Sequence, residues 1–368
     1  MEKIKHFIKN ETVLIVSFIL AVGSAFIVPP NAEYVDYIDF KTLSLLFCLM
    51  AVMAGFGKLG LFDFLSIKLL SGVNSVRQLC FVLCLFCFFS AMVITNDVAL
   101  ITFVPFTVEA LRLSGKKDKM ILVITLETVA ANLGCMLTPI GNPLNHYLFS
   151  AYEMSIKDFV LAVLPYAALS LVLVAVSAFF TGKDKTECLQ SENTKFSPGM
   201  NGMVYTVLFA LSLLTVFKVV PHDVALCATI ASLVIFDRKV FAKVDYSLLL
   251  TFVFLFIFIG NLGKINAVND FLKTAVNGRE VVAGVAASQV FSNVPAAILL
   301  SGFTDNVKDL LIGVNLGGLG TLIASMASLI SFKLIIKENV KTGRYLLVFT
   351  LVNIVFLAFN IALWLIIR

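Results

Sequence analysis

Five stretches of this chain, Thr12 to Pro30, Phe159 to Phe180, Met203 to Val220, Asp245 to Gly260 and Leu346 to Ile367, are apolar and long enough to cross a hydrocarbon core of roughly 30 Å as helices. A chain carrying this many such runs has lipid as its main solvent. Composition agrees: 60% of the 368 residues are hydrophobic and 14% charged, with a mean hydropathy of +0.98. A water-soluble domain of this size has nowhere to hide that much apolar surface. The expected fold is therefore an all-α polytopic membrane protein, its partner is the bilayer, and no nucleic acid is implied. Lys3, Lys5 and Lys9 precede the first apolar run as in a signal peptide, but the run is too long and shows no small-residue cleavage site, so it reads as a retained span. The seven cysteines sit mostly within apolar segments, with no CxxC pair and no His at ligand spacing, and read as packing residues.

Lys and Arg gather in six clusters: Lys3/Lys5/Lys9, Lys58/Lys68/Arg77, Arg112/Lys116/Lys117/Lys119, Lys183/Lys185/Lys195, Arg238/Lys239/Lys243 and Lys333/Lys337/Lys341/Arg344. A cytoplasmic N-terminus, about nine full transmembrane helices and two re-entrant helical hairpins put all six inside and leave the C-terminus outside, as the positive-inside rule asks. This topology also accounts for the net charge of +5. The first hairpin, over 79–113, begins after one basic cluster and ends at the next, so both ends face the cytoplasm. It breaks at Thr95-Asn96-Asp97, and each arm, at about 16 residues, is short for a crossing of about 20. The second, over 281–303, breaks at Ser292-Asn293-Val294-Pro295 and enters from the other side.

An internal repeat orders these features. Asp39 to Leu59 returns as Asp245 to Ile265 at a constant offset of 206; the tip Thr95-Asn96-Asp97 returns as Ser292-Asn293-Val294. Asn132-Leu133-Gly134 with Thr138 to Asn142 returns as Asn315-Leu316-Gly317 with Thr321 to Ser325, at an offset of 183. Asp39 falls outside and Asp245 inside, so the halves are inverted: a first repeat over 1–180, a cytoplasmic linker over 181–202, a connecting helix over 203–220 and a second repeat over 221–368. Inverted repeats are a mark of secondary transporters.

Backbone that leaves helical geometry within a bilayer is tolerated only where protein or a water-filled cavity satisfies it. Four such breaks are expected: the two hairpin tips, and two discontinuous helices, over 119–150 (broken at Asn132 to Asn145) and over 309–332 (broken at Asn315 to Ser328). Half-helix N-termini suit an anion, while exposed carbonyls and side-chain oxygens suit Na⁺. Taken singly, Gly134, Gly141, Gly317, Gly318 and Gly320 also fit plain close packing of helices. Asp97 is an acid deep in an apolar segment with no basic neighbour in sequence, and a charge there costs at least ~2.5–3.5 kcal/mol. It can carry a coupling proton, neutralise a bound cation, or cap the following half-helix. Glu109 and Glu127 can also lie at membrane depth; Glu109 is expected to pair with Arg112, and His146 to make a local hydrogen bond at the end of the first break.

With these residues in view, the chain resembles the ion transporter superfamily, which includes arsenite permeases, divalent-anion/sodium symporters, citrate permeases and certain sodium/proton antiporters. The resemblance covers nearly the whole chain and implies an elevator-type homodimer in the plasma membrane. It implies a substrate and coupling-ion site at Thr95, Asn96, Asp97, Asn132, Thr138, Gly141, Asn142, Asn145, Ser292, Asn293, Asn315, Thr321 and Ser325. No cofactor is expected beyond a coupling Na⁺ or H⁺, the Na⁺ at the hairpin tips. The tip residues Asp97 and Val294 depart from the Ser-Asn-Thr of the divalent-anion symporters, and the acid is closer to the arsenite-permease pattern. The function expected is secondary transport of a small anion or oxyanion, with a sodium/proton antiporter or an ion channel as alternatives. An enzyme is not expected, since the chain has no HExxH, no paired His and no GxSxG.

Overall fold

A computed structural model of the protein describes residues 12–61, 64, 73, 75–113, 115–182, 199–217, 219–265, 270, 273–338 and 340–368. The basic residues Lys3, Lys5, Lys9, Lys68, Lys183, Lys185 and Lys195, and most of the expected linker, lie outside them. The described residues contain no strand. In the first half the helices are α1 (Thr12–Ala25), α2 (Glu33–Asp36), α3 (Phe40–Lys58), α4 (Val76–Ile94), α5 (Asn96–Leu113), α6 (Met120–Gly134), α7 (Pro143–Ala151) and α8 (Ile156–Ala178). The second half holds α9 (Gly199–Val216), α10 (His222–Phe236), α11 (Tyr246–Lys264), α12 (Glu280–Phe291), α13 (Asn293–Ser301), α14 (Val307–Leu316), α15 (Met326–Ile335) and α16 (Thr342–Ile367). Seven stretches, built on α3, α4, α6, α8, α9, α11 and α16, are long and apolar enough to span a bilayer. The chain is a multi-pass membrane protein.

The repeated sequences fold alike down to their caps. Asp39 accepts from Thr42 N at 3.0 Å to cap α3, and Asp245 accepts from Leu248 N at 2.9 Å to cap α11. Their backbones sit at φ −77°, ψ 85° and φ −81°, ψ 86°. An aspartate here satisfies one of the N–H groups that a helix start leaves orphaned. The two helices run antiparallel: Gly57, late in α3, and Asp245, before α11, line one cavity, while a Cβ on Gly260, late in α11, would strike the ring of Tyr37, before α3. Helix α11 packs on α1, and α3 packs on α10, which begins the second repeat, and on the connecting helix α9. The lysines that close them, related by the same offset of 206, each bind a carboxylate of the other half, Lys58 to Asp237 at 2.6 Å and Lys264 to Glu33 at 2.8 Å.

Helices α4 to α8 and α11 to α16 share one continuous buried core, while α3, α9 and α10 enclose a smaller one around Ala51, Val52, Tyr205, Leu208 and Leu233. At the centre of the larger core lies α6, touched by α4, α5, α8, α15 and α16 and buried without interruption from Val123 to Gly134. In lipid such packing is held by close contact rather than by expulsion of water. Two expectations change. The arms of the first hairpin are 19 and 18 residues rather than about 16: Ser75 accepts from Gln78 N and starts α4 ahead of its apolar run. The helix expected over 203–220 begins at Gly199 and ends at Val216.

Candidate functional site

Each hairpin turns on a single residue. Thr95, between α4 and α5, has φ 73°, ψ 153°, and Ser292, between α12 and α13, has φ 72°, ψ 154°. This corner of backbone space is essentially reserved for glycine, and occupying it costs another residue ~1–3 kcal/mol. A β-branched threonine held there is a real outlier. Two unrelated strained residues agreeing within a degree would be a coincidence; two copies of one device would not.

The tips meet the broken helices through amide side chains. Asn132, near the end of α6, accepts at Oδ1 from Asn96 Nδ2 at 3.0 Å and from Ser325 Oγ at 3.1 Å. Its Nδ2 donates to Gly318 O at 3.4 Å, and a Cβ on Gly318 would lie 2.9 Å from Asn293 Nδ2. The first tip and both breaks thus converge on one buried amide, and the second tip lies against Gly318 beside it. A second link joins the breaks directly, as Asn315 Nδ2 donates to Asn145 Oδ1 at 2.7 Å, and Asn145 Nδ2 donates to Cys135 O at 2.9 Å. Hydrogen bonds of this kind take up the polar groups that the unwound segments would otherwise leave bare. Asn142 caps α7 through Leu144 N, and its backbone (φ −151°, ψ 141°) matches that of its mate Ser325 before α15 (φ −144°, ψ 139°). Gly141 accepts from Asn96 N at 3.2 Å, an approach that leaves no room for a Cβ, which would come within 2.8 Å of Ala91 O.

Each hairpin is also stapled to the break of its own half, three residues before the tip. In the first half Thr138 Oγ1 donates to Met92 O. In the second, Gln289 donates through Nε2 to Gly317 O at 3.0 Å and Leu319 O at 2.9 Å, and accepts at Oε1 from Thr321 N at 2.9 Å. Met92 and Gln289 hold matched positions, as do Thr138 and Thr321, yet backbone and side chain trade roles. Sequence reasoning missed Gln289 for that reason. Thr321 contributes its backbone N–H, and the residue itself is exposed.

A cavity of about 660 Å³ reaches Thr95, Asp97, Asn142 and His146, between α3 and the unit formed by α5, α7 and α15. Its far end is lined by Glu109, Lys243 and Asp245. Asp97 faces it with Oδ1 buried and lacking a hydrogen-bond partner. Glu109 pairs with Arg112 at 2.5 Å, as expected. His146 departs from its expected role: both ring nitrogens are buried without a hydrogen-bond partner, because the break is already closed by Asn142 and Asn145, leaving the imidazole beside the cavity. The acid buried most completely is Glu127 on α6, with no exposure against the part exposure of Asp97; it accepts from Thr107 Oγ1 on α5. Ser292 Oγ is buried and unpartnered between the tip and the breaks.

The sequence model of a family described as Citrate transporter (CitMHS) matches residues 7–309. An uncharacterized transporter of Methanocaldococcus jannaschii is 33% identical over 332 residues, 90% of each chain. The inner membrane protein YbiR of Escherichia coli is 28% identical over 323 residues, 86% of each chain. The P protein of Mus musculus is 29% identical over 127 residues, 34% of this chain and 15% of that protein.

Proposed function

The chain belongs to the citrate transporter family of the ion transporter superfamily, a family of membrane transporters, and we propose that it works as a secondary carrier moving a small anion or oxyanion together with H⁺ or Na⁺. The single observation behind this reading is the convergence of two tips with the same backbone geometry, Thr95 and Ser292, on Asn132 and Gly318, with the first tip, Thr95 and Asp97, lining a cavity. The antiparallel run of α3 and α11 supports two inverted halves over 1–180 and 221–368. The Lys58–Asp237 pair joins two of the basic clusters at one end of the molecule, which supports the assignment of that end, and of the N-terminus, to the cytoplasm of a plasma membrane. The hairpins are re-entrant on this reading, and the carrier is an elevator-type homodimer.

Substrate contacts fall to Thr95, Asn96, Thr138, Gly141, Asn142 and Asn145 in the first half and to Ser292, Asn293, Thr321 and Ser325 in the second. Asn132 and Asn315 hold the two sets together. Three carboxylates, on Asp97, Glu109 and Asp245, line the cavity with one lysine, Lys243; Glu109 is paired with Arg112, which leaves Asp97, whose Oδ1 has no hydrogen-bond partner, as the uncompensated acid beside the tip. A dianion is repelled by that balance unless a proton or Na⁺ arrives with it, so Asp97 is the residue that couples. The same balance favours a second reading, exchange of Na⁺ for H⁺. Counterflow in proteoliposomes separates the readings. A carrier gives saturable exchange accelerated by substrate on the far side, with arsenite, antimonite, sulfate, succinate and citrate tried with and without Na⁺. Sodium-driven proton movement with none of the anions supports the second reading, and non-saturating flux unaffected by the far side overturns both.

A further inference from the structure

A second cavity, of about 320 Å³, lies on the other side of the site, between α11 and the unit of α13 and α7. Its lining is the repeat image of the first. Phe256, Ile259 and Gly260 stand where Met50, Met53 and Ala54 line the large cavity, at the offset of 206. Ile298 and Gly302 stand where Ile101 and Pro105 do, at the offset of 197 that relates the two tips, and Tyr147 is the mate of Ile330 at 183. These are one place in the fold seen twice, wide in one half and narrow in the other. Exposure agrees: Ile101 is 55% exposed and its mate Ile298 is 0%.

The narrow copy is shut by aromatic contact. The ring of Tyr147 on α7 lies 5.6 Å from that of Phe256 and 6.4 Å from that of Phe252, both on α11, at centroid distances typical of favourable aromatic pairs. The hydroxyl of Tyr147 bonds Ser301 Oγ at 2.7 Å, and that of Tyr152 donates to the carbonyls of Ser301 and Thr304, both at 2.7 Å. These bonds tie α7 to α13 on the side that faces α11. The mates of Phe252, Phe256 and Tyr147 are Leu46, Met50 and Ile330, and all three line the wide cavity. The trio is closed on one side and apart on the other.

We infer that Tyr147 is the gate residue of this side: its ring on Phe252 and Phe256 closes the route to the site, while the aliphatic trio Ile330, Leu46 and Met50 is the matching gate that closes when Tyr147 withdraws. Because the aromatic seal is the stronger of the two, the resting protein holds the large cavity open. The inference rests on the carrier reading above, but its test needs no substrate. In a background with Cys188 and Cys227 replaced by serine, Ile101→Cys and Ile298→Cys are made separately and labelled with a membrane-impermeant maleimide from each side of oriented vesicles. Ile101→Cys reacts, from one side, and Ile298→Cys is silent. Adding Tyr147→Ala raises the rate at Ile298→Cys about tenfold, since two aromatic contacts are lost, and lowers the rate at Ile101→Cys. Tyr147→Phe, which keeps the ring, leaves both rates near the parent's. A Tyr147→Ala protein in which Ile298→Cys stays silent while Ile101→Cys reacts as before overturns the gate. So does a Tyr147→Phe protein that opens as far as Tyr147→Ala, which would move the closure to the hydroxyl. Labelling of both positions at undiminished rates in Tyr147→Ala means a continuous pore and overturns the carrier reading instead.

Discussion

The two hairpin tips have one backbone and two chemistries. Thr95 and Ser292 agree within a degree in φ and in ψ, and each is followed by a buried asparagine, Asn96 or Asn293. The next residue is Asp97 in one and Val294 in the other. Asp97 faces the large cavity, whereas Val294 is 6% exposed and packed in the core. Shared geometry says that the fold needs both tips to break helix and present N–H groups and amides. The difference says that only one of them has to handle charge. If Asp97 were structural its mate would carry a comparable group, and it carries a methyl-bearing side chain of similar bulk.

The sharpest way to break the comparison is to erase it. Asp97→Val makes the first tip a copy of the second. Transport in proteoliposomes falls to background, while the melting temperature in detergent holds or rises because a costly buried acid is gone. Asp97→Asn separates the parts of the role: transport is abolished or uncoupled with expression intact, and a mutant that still transports with the parent's pH dependence removes the proton from the account. The reverse exchange, Val294→Asp, puts a carboxyl where no cavity receives it. A destabilisation of ~2.5–3.5 kcal/mol is expected, read as a lowered melting temperature, and a tolerated Val294→Asp would mean that the second tip also meets water.

Asn132 is where the tips meet, and its loss affects them unequally. Asn132→Ala removes the acceptor of Asn96 and of Ser325 together, at ~1–3 kcal/mol for the buried groups left unpaired. The donor to Gly318 O is lost as well; the first tip loosens, and the second, still held through the three hydrogen bonds of Gln289, stays. Hydrogen exchange at Asn96 rising without a rise at Asn293 is the outcome that supports this order. A smaller effect follows from Gln289→Met, which gives the second half the residue of its mate Met92. Three hydrogen bonds to the segment from Gly317 to Thr321 are lost, at ~1 kcal/mol net for a region that water can partly reach, and exchange rises there while the first break is unmoved.

Much of this was legible in the sequence because a membrane makes polarity conspicuous. Asn96, Asn132, Asn145, Asn293 and Asn315 stand out in apolar surroundings, and the repetition of Asn96 as Asn293 and of Asn132 as Asn315 at fixed offsets identifies four breaks without any structure. What stayed hidden is what repetition conceals. Gln289 matches a methionine, since the first half does with the carbonyl of Met92 what the second does with a side chain. Glu127 can be placed at membrane depth from the sequence, but the complete burial of α6 depends on neighbouring helices from both halves that no local pattern announces. The length of α4 was misread because Ser75 caps it outside the apolar run. The missing partner of His146 was beyond reach for the same reason: which groups close a break is decided by contacts across the fold.

The mildest test compares the ends of the long helices, where the halves again match in position and differ in setting. Lys58 and Lys264 are repeat mates, but Asp237 beneath Lys58 has a side chain only 7% exposed and also accepts from Tyr205 OH at 2.8 Å, whereas Glu33 beside Lys264 is 52% exposed. Burial pushes the Asp237 carboxyl up, and the hydrogen bonds from Lys58 and Tyr205 overcome it, holding the group below the usual carboxylate range. A carboxyl depressed in the folded state stabilises the fold above its unfolded pKa of about 3.9 and loses that contribution as pH falls through the folded value. Lys58→Met therefore lowers the melting temperature at neutral pH, by an amount corresponding to ~1 kcal/mol for a half-satisfied buried acceptor, and the deficit shrinks as the parent is acidified below about pH 4. Lys264→Met leaves the melting temperature unchanged, because water solvates both partners as well as they solvate each other. Equal losses in the two variants would mean that burial of Asp237 is not what separates the two ends.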